Sequence, residues 1–342
     1  MEKKFKEILG KIQSAKTVGI FCHINPDADT LGSALALFLY LRKVGKGVAV
    51  YVDATHLPLH LSGVAGYDKV ILGASADLDT DFLGIDLLVS MDTADEARLG
   101  KYADVFVSHP NTINIDHHIS NTGYAKINLV RETSANTEIV LEVLQSLDYF
   151  ETKANGKPTL ICRDIAMALY IGLVADNGNF SFKSVNGNTF LIASKIMSYG
   201  LSSQDIFDVN NMLFKSLSLA KFKLQRALLN NVKFFYDNKL AVSYLTLDDF
   251  VACGNTKEGT EGLIHNLLNI DSVEIAVSFR QESIDKDGLS TFKVSFRSKG
   301  WDVNYLANQF GGGGHRMAAG AKLRGDVYEV IDLIVDKVKQ LL

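Results

Sequence analysis

Four stretches in the amino-terminal half of the sequence carry side chains suited to holding divalent cations. The first is His23-Ile24-Asn25-Pro26-Asp27-Ala28-Asp29, set where the apolar run Thr17 to His23 gives way to the helix-like Thr30 to Lys43. Carboxylates and an imidazole on one short loop suit manganese or another hard-to-borderline ion. Asp29 taken alone could instead cap the following helix, but His23 and Pro26 beside it favour a site. The second stretch is Val89-Ser90-Met91-Asp92-Thr93-Ala94-Asp95. An apolar run that delivers Asp92 to a sheet edge needs a positive partner there, and a metal is a sufficient one. Asp95 competes as the neighbouring acid and reads as a helix cap.

The third stretch, Asn114-Ile115-Asp116-His117-His118, again follows a β-rich run. Successive residues of an extended strand point to opposite faces, so both histidines can serve one site only if the chain turns after Asp116. Surface histidines are the alternative. The fourth is Asp176 in Gly172-Leu173-Val174-Ala175-Asp176-Asn177-Gly178-Asn179-Phe180, at the end of an apolar helix-like run from Ile165. In isolation it reads as a loop or turn residue.

A second kind of chemistry lies near the carboxyl terminus, where Val294-Ser295-Phe296-Arg297-Ser298 precedes Gly311-Gly312-Gly313-Gly314-His315-Arg316. Glycines lack a Cβ, so their N–H groups can approach a phosphate closely and form an anion-binding nest. A flexible loop is the alternative. From Arg280 to Arg324 eight Lys/Arg face four acids, a local positive excess inside an acidic protein, and Arg297 and Arg316 suit phosphate recognition.

The elements that must position these residues are legible as patterns. Thr17–His23, Gly47–Asp53, Asp86–Asp92 and Thr112–His118 are short β-rich runs separated by helical stretches, the rhythm of a parallel sheet covered by helices. Polar groups therefore gather past the carboxyl ends of strands, where open α/β sheets bind ligands. Around 188–231 the pattern is helical. Beyond it alternating runs return, with a last helix from about Asp326, giving a second, mixed α/β domain. The expected fold is thus α/β: a parallel-sheet domain with helices on both faces over 1–190, a helical connector over 191–231 and a smaller mixed α/β domain over 232–342.

Composition bounds the function. A chain of 342 residues exceeds the size of one hydrophobic core, which favours two domains. With 47% hydrophobic and 22% charged residues it is ordinary for a globular protein. Cys22, Cys162 and Cys253 lie far apart without metal-type spacing, as free thiols in a reducing cytoplasm would. The first residues alternate lysine with apolar positions and lack a signal-peptide pattern, so no export is expected. The longest apolar stretch, near Leu31 to Leu41, is about half the ~20 residues that cross a bilayer, so no membrane partner is expected. A net charge of -4 argues against coating long duplex nucleic acid but leaves small anionic substrates open.

Taken together, in this order and at these intervals, the motifs resemble the DHH phosphoesterase family, and the Arg297 and glycine-rich motifs resemble its associated carboxy-terminal domain. The resemblance spans nearly the whole chain and is nearest to the stand-alone oligoribonuclease and pAp phosphatase branch. It implies two divalent ions, manganese ahead of magnesium or cobalt, one held by His23, Asp27 and Asp92 and the other by Asp29, Asp92, His117 and Asp176. It further implies that His118 is a donor or general acid oriented by Asp116, and that Arg297, Ser298, Gly313, Gly314, His315 and Arg316 hold the far end of the substrate, with domain closure about the connector. The implied reaction is attack of a metal-activated hydroxide on short RNA, pApA, 3′-phosphoadenosine 5′-phosphate or cyclic di-AMP. A homodimer is left open.

Two departures stand near the metals: Asn177, where such proteins often have threonine, and Ser134-Ala135-Asn136-Thr137-Glu138, where they have a Ser-Ser-Thr stretch. Neither removes an implied ligand. The competing readings are an exopolyphosphatase with the same two-metal site and a non-catalytic nucleotide- or RNA-binding protein, the latter disfavoured because every implied ligand is present.

Overall fold

In the computed structural model, residues 2–73, 82–152, 156, 158–254, 260 and 262–342 are described. The chain divides into two compact units, Met1–Ser216 and Leu217–Leu342. The division falls inside the helical stretch expected as a connector.

The first unit runs α1 (Glu2–Ser14), β1 (Thr17–Cys22), α2 (Ala28–Lys43), β2 (Gly47–Val52), β3 (Val70–Leu72), β4 (Leu87–Met91), α3 (Ala103–Ser108), β5 (Thr112–Asp116), β6 (Ile127–Val130), α4 (Asn136–Glu151), α5 (Arg163–Asp176), α6 (Gly187–Met197) and α7 (Ser203–Asn210). All six strands are parallel, in the order β3-β2-β1-β4-β5-β6. The period of two in β1 sends Val18, Ile20 and Cys22 into one core and Phe21 into another. The first core is closed by α1, α2, α4 and α5, the second by aromatic residues that include Tyr102 and Phe106. Helices therefore cover both faces, and α6 and α7 add Ala193, Ile196 and Val209 to the first core.

Helices α2 and α5 carry acidic residues of the candidate site and cross closely at a glycine. A Cβ on Gly172 would lie 2.6 Å from Thr137 Cγ2 and 2.8 Å from Asp29 Oδ1. Only a residue without a side chain lets the three helices meet there.

The second unit contains α8 (Leu219–Asn230), β7 (Lys233–Phe235), β8 (Leu240–Leu245), α9 (Leu247–Cys253), α10 (His265–Leu268), β9 (Ile275–Ile284), β10 (Ser290–Ser298), α11 (Val303–Gln309), β11 (Gly313–His315), β12 (Ala318–Gly325) and α12 (Val327–Val338). Its sheet has the order β11-β12-β10-β9-β8-β7, with β8 and β9 parallel and the other pairs antiparallel. Asp326 caps α12 by accepting from the Tyr328 and Glu329 amides. Among the described residues no helix is long and apolar enough to cross a membrane.

Candidate metal centre

Three strands of the first unit hand the chain to a polar residue at their carboxyl ends: β1 to His23, β4 to Asp92 and β5 to His117 and His118. Strand order reverses between β1 and β4, the switch point at which open α/β sheets bind ligands. β5 ends at Asp116, so His117 and His118 lie past the extended strand, and the two imidazole rings lie edge to face with centroids 4.6 Å apart.

The acids are placed by specific local devices. Asp27 is the N-cap of α2, accepting from the Asp29 and Thr30 amides. The capping role considered for Asp29 thus belongs to its neighbour. Asp29 is buried and reaches the first turn of a different helix, α4, where its carboxylate accepts from the Asn136 amide at 2.5 Å and the Thr137 amide at 3.1 Å. Those are orphan N–H groups at the positive end of the helix dipole, which suit a carboxylate.

Asp92 adopts a left-handed backbone with φ 54°, a conformation aspartate tolerates better than bulkier residues. Its Oδ2 accepts from the Thr30 hydroxyl at 2.7 Å, while its buried Oδ1 has no hydrogen-bond donor among the described residues. Asp176 is the last residue of α5 rather than a loop residue. A carboxylate at the negative end of a helix is disfavoured unless something positive faces it. Asp95 is a cap, accepting from the Arg98 amide, as expected.

The histidine contacts define which nitrogen is left over. His23 Nδ1 lies 2.7 Å from Ile24 O and His117 Nδ1 lies 3.2 Å from Thr133 O. A carbonyl can only accept, so Nδ1 carries the hydrogen in each. The other nitrogen then faces acids: His23 Nε2 is 3.7 Å from Asp27 Oδ2 and 3.9 Å from Asp92 Oδ2. His117 Nε2 is 3.3 Å from Asp92 Oδ1 and 3.6 Å from Asp176 Oδ2. Tying one ring nitrogen to a carbonyl while the other faces carboxylates is the outer-shell pattern of metal-binding histidines.

Among the described residues, potential ligand atoms come within 4.8 Å of one another in three sets: His23, Asp27 and Asp92; Asp29, His117 and Asp176; and Asp92, His117 and His118. All six residues expected to hold metal are therefore brought together, with Asp92 between the groups. The electrostatics register the crowding. Burial, then the nearby Asp92 and Asp176 charges, push Asp29 well above the carboxylate range, and burial pushes Asp176 up to about 6. Burial lowers the His117 pKa, but the Asp92 carboxylate 3.3 Å away and the charges of Asp29 and Asp176 outweigh it and hold the imidazole up to about 10. Burial raises Asp27, but contacts to His23 and Thr30 more than offset it and lower its pKa. A buried acceptor without a donor, carboxylates that raise one another's pKa and imidazoles with one nitrogen turned inward all call for positive charge. Oxygen and imidazole donors of this kind fit divalent cations.

His118 belongs to one of these sets, with Nδ1 3.6 Å from Asp92 Oδ1, but it is tied to another acid. Its Nδ1 is 2.7 Å from Asp116 Oδ1, and that hydrogen bond is the main cause raising its pKa. Asp116 is fully buried and is fixed in turn by the Asn121 amide at 2.6 Å; Asn121 also donates to Asn114 Oδ1 at 2.7 Å. Neither Asn121 nor Thr30 is marked by the sequence pattern, because each acts on a ligand or its partner rather than belonging to a motif.

In the second unit, Arg297 and Ser298 end β10, and Gly313, Gly314 and His315 form β11, followed by Arg316. Arg297 is half-buried, with Nη1 donating to Phe296 O at 2.9 Å, and His315 and Arg316 are exposed. The glycine run is not a simple nest. The amides of Gly311 and Gly312 are spent on Asn308 O and Ala307 O. A Cβ on Gly314 would lie 2.5 Å from Ala318 O, so close backbone approach of β11 to β12 demands glycine there. Ser298 is buried and its hydroxyl donates to Trp301 O, which makes it a support of the turn.

Residues 17–173 match the DHH family, N-terminal domain, and residues 237–342 match the DHHA1 domain. DHH and DHHA1 domains are thus both present in the chain. Both matched segments lie where the site residues were found, apart from Asp176, just beyond the first. The chain is 28% identical over 317 residues to the bifunctional oligoribonuclease and PAP phosphatase NrnA of Bacillus subtilis, covering 93% of this chain and 92% of the relative. It is 26% identical over 330 residues to the protein of the same name from Thermus thermophilus, covering 94% and 89%. A solved exopolyphosphatase-related protein from Bacteroides fragilis superimposes with a TM-score of 0.85 at 25% identity, over 99% of this chain and 97% of that one.

Proposed function

We propose that this chain is a manganese-dependent phosphoesterase that hydrolyses short oligoribonucleotides and small nucleotides such as pApA and 3′-phosphoadenosine 5′-phosphate, with cyclic di-AMP a further candidate. The observation that carries the reading is the convergence of His23, Asp27, Asp29, Asp92, His117 and Asp176 around a buried Asp92 oxygen that has no donor among the described residues. The relatives named as oligoribonuclease and PAP phosphatase support the substrate class.

His23, Asp27 and Asp92 would hold one cation, and Asp29, Asp92, His117 and Asp176 the other. When bound, two such ions lower the pKa of water and neutralise charge developing at phosphorus. The protein's own part is to fix those ligands and to manage a proton. His118 has Nδ1 committed to Asp116, so its Nε2 is the group left to donate to a phosphoryl or leaving oxygen. Asp116, held by Asn121, keeps that imidazole oriented and protonated. In the second unit Arg297, His315 and Arg316, with the turn built by Ser298, Gly313 and Gly314, are proposed to grip the anionic part of the substrate. Free thiols support a reducing, cytoplasmic setting.

Purified protein with manganese should be assayed in parallel on pApA, longer RNA, 3′-phosphoadenosine 5′-phosphate, cyclic di-AMP and inorganic polyphosphate. Turnover of the short nucleotides ahead of polyphosphate is expected. Faster polyphosphate hydrolysis would favour the exopolyphosphatase reading, and nucleotide binding without product would favour a pure binder.

A further inference from the structure

Directly after Asp176 the backbone does something costly. Gly178, Asn179 and Phe180 are all left-handed, with φ 59°, 53° and 63°. A bulky residue such as Phe180 rarely adopts that region, and such strain persists only where the surroundings over-determine it. Here Asn177 does so. It is fully buried, its Oδ1 accepts from the Phe180 amide at 2.7 Å, and its carbonyl accepts from the Ser181 and Phe182 amides, both at 3.1 Å.

The turn seats one ring on the glycine that follows the candidate ligand Asp176 by two residues. A Cβ on Gly178 would lie 2.4 Å from Phe182 Cε1 and 2.6 Å from Phe182 Cζ, so the ring rests on the glycine itself. Gly178 is two residues from Asp176, whose carboxylate is 3.6 Å from His117 Nε2. Phe182 is nevertheless 56% exposed. Within the same turn Phe180 stacks on Phe190 with centroids 5.0 Å apart and planes 18° from parallel, which stiffens the support. An exposed aromatic face held on a glycine two residues from a proposed metal ligand suits one class of occupant: the base attached to a phosphate bound there.

We infer that the exposed ring of Phe182, seated on Gly178, is a stacking platform for the nucleobase next to the phosphoester that is cleaved. The inference rests on the phosphoesterase reading above and adds to it a residue that favours nucleotides over base-free phosphoesters. Phenylalanine offers a π-face and no hydrogen-bonding group, so the platform reads no base identity and tolerates any sequence.

The test is steady-state kinetics with manganese for the wild type, Phe182→Ala and Phe182→Trp, on pApA and on the same dinucleotide with both adenines removed. Loss of one base–aromatic stack corresponds to about 5- to 150-fold. Phe182→Ala should raise KM for pApA by that factor and leave KM for the base-free substrate unchanged, while Phe182→Trp keeps the wild-type KM. A wild-type KM for pApA in Phe182→Ala, or an equal rise on both substrates, overturns the platform while leaving the hydrolase reading standing. A wild type inactive on both substrates removes the hydrolase reading, and the platform with it.

Discussion

Thr30→Val tests how much of the metal centre depends on a residue outside every motif. Thr30 is fully buried in the first turn of α2, and its hydroxyl lies 2.7 Å from Asp92 Oδ2 and 3.0 Å from Asp27 Oδ1. A hydroxyl has one proton, so it makes one charge-assisted bond at a time and is shared between two acids proposed to hold the same ion. Valine keeps the shape and removes the donor. A hydrogen bond to a charged group contributes about 1.5–3 kcal/mol. At about 1.4 kcal/mol per factor of ten, that is roughly 10- to 150-fold in the affinity of a site that needs both carboxylates oriented. Outer-shell substitutions at metal sites cost about 10- to 100-fold, the same range. The assay is a manganese titration followed by calorimetry and by activity, with Thr30→Ser as the variant that retains the hydroxyl. Thr30→Val should bind manganese within that weaker range and Thr30→Ser near the wild-type value. A Thr30→Val protein with wild-type manganese affinity would refute the reasoning.

His118→Ala should lower kcat by about 10²- to 10⁴-fold, the usual contribution of a general acid, with manganese content unchanged by elemental analysis. The metal-free protein should lose stability as pH rises. Asp176, raised to about 6, and His117, raised to about 10, each stabilise the fold below their unfolded values, and that contribution is lost through the windows from 3.8 to about 6 and from 6.5 to about 10. Cations must displace the same protons, so the manganese-induced rise in Tm should grow between pH 5 and pH 9, with protons released on binding near neutrality; a pH-independent shift would be inconsistent with it. Gly172→Ala places a methyl group 2.6 Å from Thr137 Cγ2 and should destabilise the first unit by about 1–3 kcal/mol in urea unfolding.

Much of this architecture is legible from residue patterns, and the exceptions have physical causes. β1, β2, β4 and β5 announce themselves as β-rich apolar runs, whereas Val70–Leu72 and Ile127–Val130 are too short to stand out from their surroundings. Asp92, His117 and His118 are visible because a polar group at the end of an apolar strand is anomalous. The role of Asp29 is hidden, because its hydrogen-bond partners Asn136 and Thr137 lie more than a hundred residues away. Asp176 misleads for a related reason: an acid beside Asn-Gly looks like a turn, and only the packing of α2 against α5 brings it to the other ligands. In the second unit the glycine run is prominent, but whether its amides face a ligand or the β-hairpin depends on backbone pairing that composition does not encode.

The most direct test of the metal centre is the manganese bound per chain after equilibrium dialysis, measured for the wild type and for Asp92→Asn at equal foldedness by circular dichroism. Two ions per wild-type chain, falling to one or none in Asp92→Asn, are expected if Asp92 joins both groups of ligands. A wild type that retains no manganese, or an Asp92→Asn protein that still holds two ions, would contradict it.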